Sequence, residues 1–206
     1  MSILLVKWEK QYSTVVRRLQ PKLLRRREFL DLLAKASMAG VVASTSGLLT
    51  ACHQPTTSNA QLVRREPWTT FSAVQQHLFP SDGNGPGAAE INASLYLKFV
   101  LEAADTDAEQ RDLIGNGPQW VNDISREQKG GAFIRLSTKD REHVIKMIAS
   151  SRVGESWLSY LLLYIFEALL ADPVYGGNPD ELGWKWLQHK PGYPQPPHNK
   201  RYTELL

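Results

Sequence analysis

The sequence holds a single cysteine, Cys52. One thiol excludes an internal disulfide and any Cys-rich zinc or iron–sulfur site. Cys-x-x-Cys-His does not occur, so the chain has no c-type haem attachment motif. The five histidines, His53, His77, His143, His189 and His198, have no metal-ligand spacing. Gly83-Asn84-Gly85-Pro86-Gly87 lacks the preceding strand and the glycine spacing of a dinucleotide loop and reads as a turn. No Ser/His/Asp grouping has a nucleophile context. Asp105, Asp107 and Glu109 read as the acidic start of a helix rather than a catalytic pair. No convincing run alternates with period two, which leaves little for strands to be built from.

Excess positive charge is also missing from most of the chain. Nine of the 24 Lys/Arg and three of the 21 Asp/Glu lie in residues 1–51. That leaves 15 basic against 18 acidic residues, a net −3, from Cys52 onward. The basic character belongs to the leader, and a nucleic-acid partner is not indicated.

The leader itself is rich in signal. Arg26-Arg27, followed by Glu28 and then Phe29-Leu30, fits the twin-arginine export pattern. Asp31 stands where lysine is common, and Arg25 where Ser or Thr is common. Leu32 to Ala51 is only weakly apolar, broken by Ser37, Ser44, Thr45, Ser46 and Gly47, which suits folded export and makes a poor spanning helix. Leu49-Thr50-Ala51-Cys52 matches a lipobox. Cleavage before Cys52 would leave a thiol for diacylglycerol and an amine for a further acyl chain, enough for stable anchoring. These features predict a protein on the periplasmic side of a bacterial membrane, delivered by the twin-arginine translocase and lipid-anchored through Cys52. The competing reading is a basic amphipathic N-terminal helix followed by an accidental Leu-Thr-Ala-Cys. The 24 residues before Arg25 read as either an extended basic flank or chain upstream of the true start.

The expected organisation is a signal peptide over 1–51, a flexible tether over 52–66 and a helical domain over 67–206. Phe71, Val74, Gln75, Leu78 and Phe79 space as one helix face, with Pro67 in the first turn and Pro80 as the stop. Further helices are expected over Ala88–Ala104, Asp107–Ile114 and Trp120–Lys129. Gly115-Asn116-Gly117-Pro118 separates the last two. Ser137 or Thr138 starts another, with Val144, Ile145 and Ile148 inward. Trp157–Leu170 is the most apolar stretch. It is short for a bilayer span and carries Glu167, so it reads as the central core helix. The fold class is all-α, a compact irregular helical domain with an extended C-terminal tail rich in Pro and Trp. A tail with that composition cannot build its own core. Trp184, Trp186 and Tyr193 therefore either pack the tail onto its own helices or anchor a partner.

Two stretches carry a family resemblance. Leu78-Phe79-Pro80-Ser81-Asp82-Gly83 leading to Pro86-Gly87-Ala88 is one. Asp172-Pro173-Val174-Tyr175-Gly176-Gly177-Asn178 with Gly183-Trp184-Lys185-Trp186-Leu187 is the other, and the more specific. Over about residues 68–197 the chain resembles the small-subunit family of gluconate 2-dehydrogenase, subunit 3. The resemblance implies a chain with no cofactor and no catalytic residues of its own, part of a gluconate 2-dehydrogenase (acceptor)-like oxidoreductase complex. The implied partners are a large FAD-dependent GMC-type dehydrogenase subunit, which the small chain escorts out folded, and commonly a multihaem cytochrome c subunit carrying haem c. Tyr175, Gly176, Gly177, Trp184, Trp186 and Tyr193 are the expected partner interface. A stand-alone envelope lipoprotein binding a small ligand or envelope component is the alternative.

Overall fold

The computed structural model describes residues 2–19 and 65–192, together with Pro197 and Arg201. Seven α-helices and three short 3-10 turns make up the described residues, with no strand among them. The helices are α1 (Ile3–Leu19), α2 (Trp68–Leu78), α3 (Ala93–Glu102), α4 (Ala108–Lys129), α5 (Thr138–Ala149), α6 (Arg152–Leu170) and α7 (Leu182–Leu187).

Helix α6 is the axis of the fold and packs against each of the other six helices. Its sequence is apolar almost all round, as a helix enclosed on several sides must be. Val153, Trp157, Leu161 and Ile165 are fully buried. It is also long and apolar enough to cross a membrane, but 61% of its most apolar window is buried against the protein, which makes it a core helix. Ser151 starts α6 by accepting from Gly154 N at 3.0 Å, and Ser137 starts α5 by accepting from Asp140 N at 3.2 Å.

Helix α4 runs unbroken through Gly115-Asn116-Gly117-Pro118, where the sequence predicts an interruption. Pro118 has no N–H, so the carbonyl of Ile114 four residues earlier loses its helical donor. The indole Nε1–H of Trp157 supplies the missing bond at 3.1 Å. Gly117 makes room for it, since a Cβ there would stand 1.9 Å from that nitrogen. The next departure is at Ala88–Asn92, which forms turns instead of the first turn of a helix. Asn92 adopts a left-handed φ of 54° and α3 begins only at Ala93.

Helix α1 belongs to this same core, although the sequence places it in the leader. Leu5, Trp8, Tyr12 and Val16, spaced three, four and four residues apart, are all at least 97% buried. They lie in the trough between α4 and the first half of α6. Trp8 stacks on Trp120 with ring centroids 5.4 Å apart and meets Trp157 edge-on at 6.0 Å. The polar contacts fix direction and register. The Ser2 hydroxyl bonds Glu127, Tyr12 donates to Asp112 at 2.7 Å, and Arg18 pairs with Glu109 at 2.7 Å. Helix α1 is therefore antiparallel to α4. Glu9 accepts from Val153 N at 3.0 Å, a carboxylate at the positive end of α6. Burying four side chains of this size contributes about 6–12 kcal/mol before entropy is counted. Whole domains are stable by only about 5–15 kcal/mol.

Candidate functional site

The C-terminal half of α6 carries a second construction. An α-helix ends with four carbonyls that have no internal donor. Here the chain from Asp172 to Leu187 folds back over that end and supplies donors. Trp184 Nε1–H bonds the Leu170 carbonyl at 2.7 Å, and Asn178 Nδ2–H bonds the Ala171 carbonyl at 3.0 Å. The backbone must come very close to do this. A Cβ on Gly183 would lie 2.1 Å from the Leu169 carbonyl oxygen, and one on Gly177 2.8 Å from that of Ala168.

Asn178 is the hub of this strap. It is fully buried with a left-handed φ of 48°. Its side-chain oxygen accepts from Gly183 N at 2.6 Å, and its own N–H donates to the Ile91 carbonyl at 3.0 Å. Asp172 starts the strap by accepting from Val174 N at 3.0 Å. The strap also reaches the loop between α2 and α3. Trp186 Nε1–H donates to the Asn84 carbonyl at 2.7 Å, with its indole against Gly85. That loop is shaped by Asp82, whose carboxyl accepts from Asn84 N at 2.9 Å, a bond that lowers its pKa. The two sequence stretches that carry the family resemblance thus meet in space.

A comparison of the sequence with known families covers both stretches. The model of gluconate 2-dehydrogenase subunit 3 matches residues 65–192. The chain belongs to the gluconate 2-dehydrogenase subunit 3 family. The match spans α2 to the end of the strap and leaves α1 outside. No curated protein and no solved structure gives a match.

In this subunit 3 domain the expected interface residues divide. Trp184, 5% exposed, packs its own fold and touches His189 with ring centroids 6.1 Å apart. Gly176 (φ 92°) and Gly177 shape the backbone against Leu95 and α6. Tyr175 is half-buried beside Phe99, ring centroids 5.3 Å apart. Trp186 is different: 42% of it is exposed, next to exposed Leu182 and Leu187, with exposed Leu170 at the adjoining end of α6. These four are the exposed large apolar side chains of the strap and of the α6 end that it caps. Arg26, Arg27, Phe29, Leu30, Cys52 and Tyr193 lie outside the described residues.

Helices α3, α4 and α6 also share half-buried polar contacts around Glu167, whose partners the sequence did not single out. Tyr96 on α3 donates to Glu167 on α6 at 3.1 Å, and Tyr164 accepts from Gln110 on α4. Burial raises the Glu167 carboxyl above its usual range, partly offset by the Tyr96 bond. Burial also raises the Tyr96 and Tyr164 phenols, and pushes Tyr160 up to about 12. Such phenols stay protonated, and the bonds of Tyr96 and Tyr164 tie α3 and α4 to α6. Among the described residues no three His, Cys, Asp or Glu side chains come together as a metal site. The chemistry of the strap is helix capping below and apolar contact above, the form of a docking platform.

Proposed function

We propose that this chain is the non-catalytic small subunit of a gluconate 2-dehydrogenase-like complex. It binds the FAD-dependent GMC-type dehydrogenase subunit, carries it folded through the twin-arginine translocase and helps hold it at the membrane. FAD resides in that partner, and haem c in a multihaem cytochrome c subunit that takes the electrons onward. The observation that carries the reading is the family match over residues 65–192. Support for a docking role comes from the rigidly capped strap that presents Trp186, Leu182 and Leu187 to solvent. Apolar side chains on a rigid platform lose little entropy when a partner covers them. Arg26-Arg27 provides the export signal and Cys52 the lipid attachment.

Folded export is the physical clue to the division of labour. A chain with no cofactor motif gains nothing by folding before it crosses. A flavoprotein loaded in the cytoplasm does. The test is co-purification of the full chain from solubilised membranes. A flavin-containing dehydrogenase that comes down with it is the expected result. A chain that purifies alone, with dehydrogenase activity unaffected by its deletion, overturns the proposal and favours a stand-alone lipoprotein.

A further inference from the structure

We propose that the trough between α4 and the first half of α6 is a helix-docking surface, filled by α1 before processing and by an amphipathic helix of the dehydrogenase subunit afterwards. The inference rests on the reading that the chain is cleaved before Cys52.

Cys52 lies between α1 and the family-matched domain. Cleavage there separates the helix from the trough it fills. Crossing the membrane separates them too. The basic flank of an export signal stays on the side of departure, while the chain beyond the apolar segment crosses. A domain that has crossed cannot keep α1 in place.

The vacated trough has a defined chemistry. Its floor is the exposed faces of Trp120 and Trp157. Its fittings are the Val153 N–H, which loses the Glu9 carboxylate, and Glu109, Asp112 and Glu127, which lose Arg18, Tyr12 and Ser2. An apolar floor with polar fittings along its length is the form of a helix-in-groove site. It selects a helix of at least four turns with large apolar or aromatic side chains spaced three, four and four. That helix carries a carboxylate just after the second anchor and a cation near its C-terminal end.

Helix α1 meets this pattern incompletely. Among the described residues the buried Trp8 Nε1–H finds no acceptor. A buried donor left unpaired weakens the fit, as suits an occupant that must leave. The trough is also distinct from the strap. Trp157 and Leu170 stand about 20 Å apart along α6 by helical rise, so the partner would be held at two points.

The test places a photo-crosslinking benzophenone side chain at Trp120, and separately at Asn116, which bonds Tyr12 at 2.9 Å. Each full-length chain is co-expressed with the dehydrogenase, and mass spectrometry reads the small chain's N-terminus. In the chain carrying Arg26→Lys and Arg27→Lys, which is held in the cytoplasm with residues 1–51 attached, crosslinks to residues 2–19 are expected. In chain beginning at Cys52, crosslinks to one helix of the dehydrogenase are expected, with those to residues 2–19 lost. Processed chain that co-purifies with the dehydrogenase but crosslinks to it from neither position overturns the inference and leaves the proposed function standing. Membrane-bound chain that still begins upstream of α1 and crosslinks to it overturns both the cleavage and the exchange.

Discussion

Trp157 donates its indole N–H to the Ile114 carbonyl, the acceptor that Pro118 deprives of a donor. One hydrogen bond thus lets a proline sit inside a 22-residue helix and ties α4 to the axis of the fold. Trp157→Phe should cost about 1–3 kcal/mol through the unpaired buried carbonyl alone. The same change in a Pro118→Ala background should cost measurably less, because an alanine at that position restores the backbone N–H. A double-mutant cycle by denaturant unfolding measures the coupling. Additive costs would show that the indole does not substitute for the helical bond.

The unprocessed chain should depend on α1. Trp8→Ala in the Cys52→Ala chain should destabilise by about 3–5 kcal/mol. Trp8→Phe should cost less, because it removes the unpaired N–H along with part of the ring. Thermal unfolding followed by tryptophan fluorescence reads both. Equal losses for the two would mean that the N–H is satisfied.

Glu167 should make stability fall as pH rises. Its folded carboxyl is raised by burial, so the native state holds the proton more tightly than the unfolded chain does. The resulting stabilisation is full below the unfolded value near about 4.3. It is lost as pH climbs through the folded value. Glu167→Gln should flatten that slope. Urea midpoints across the acid-to-neutral range, compared between the two chains, decide it.

The strap separates folding from docking. Asn178→Ala removes bonds to the Ala171 carbonyl and from Gly183 N in a fully buried place, and should cost about 2–4 kcal/mol. Trp186→Ala should cost less, about 1–2 kcal/mol through the lost bond to the Asn84 carbonyl, while reducing recovery of the dehydrogenase on co-purification. Stability changes of equal size would assign Trp186 to the fold instead of the partner.

The proposed function divides export and anchoring between two sites. Arg26→Lys with Arg27→Lys should leave both chains in the cytoplasm. Cys52→Ala should leave residues 1–51 attached, so that the chain in the envelope carries its original N-terminus and no acyl chains. Fractionation with a dehydrogenase activity stain reads the first outcome and mass spectrometry of the N-terminus the second, and a dehydrogenase that reaches the envelope without the arginine pair rules out the escort.

Local chemistry made much of this fold legible. The stripe Phe71, Val74 and Gln75, the Ser137 cap and the apolar run of α6 each point to the element that forms, because one turn's spacing or one side chain decides it. Gly115-Asn116-Gly117-Pro118 points the other way, since the donor that rescues it arrives from Trp157 on another helix. Ala88–Asn92 reads as helix by composition, but the strap's bond from Asn178 N to the Ile91 carbonyl belongs to a turn there. Trp184 and Trp186 look alike in sequence, yet they part because residues two apart on a helix face different ways. Leu5, Trp8, Tyr12 and Val16 form a readable stripe, but its basic neighbours belong equally to an export leader, and no local pattern shows the trough that receives it.

The contact between Glu9 and Val153 bridges 144 residues. Synthesis proceeds at about 5–20 residues per second, so the start of α6 follows α1 from the ribosome by about 7–30 s. During that interval α1 has no trough to enter, and it can settle only when α4 and α6 have come together. The docked helix is therefore a timer as well as a contact: the N-terminal segment changes its state at the moment the helices that receive it have come together.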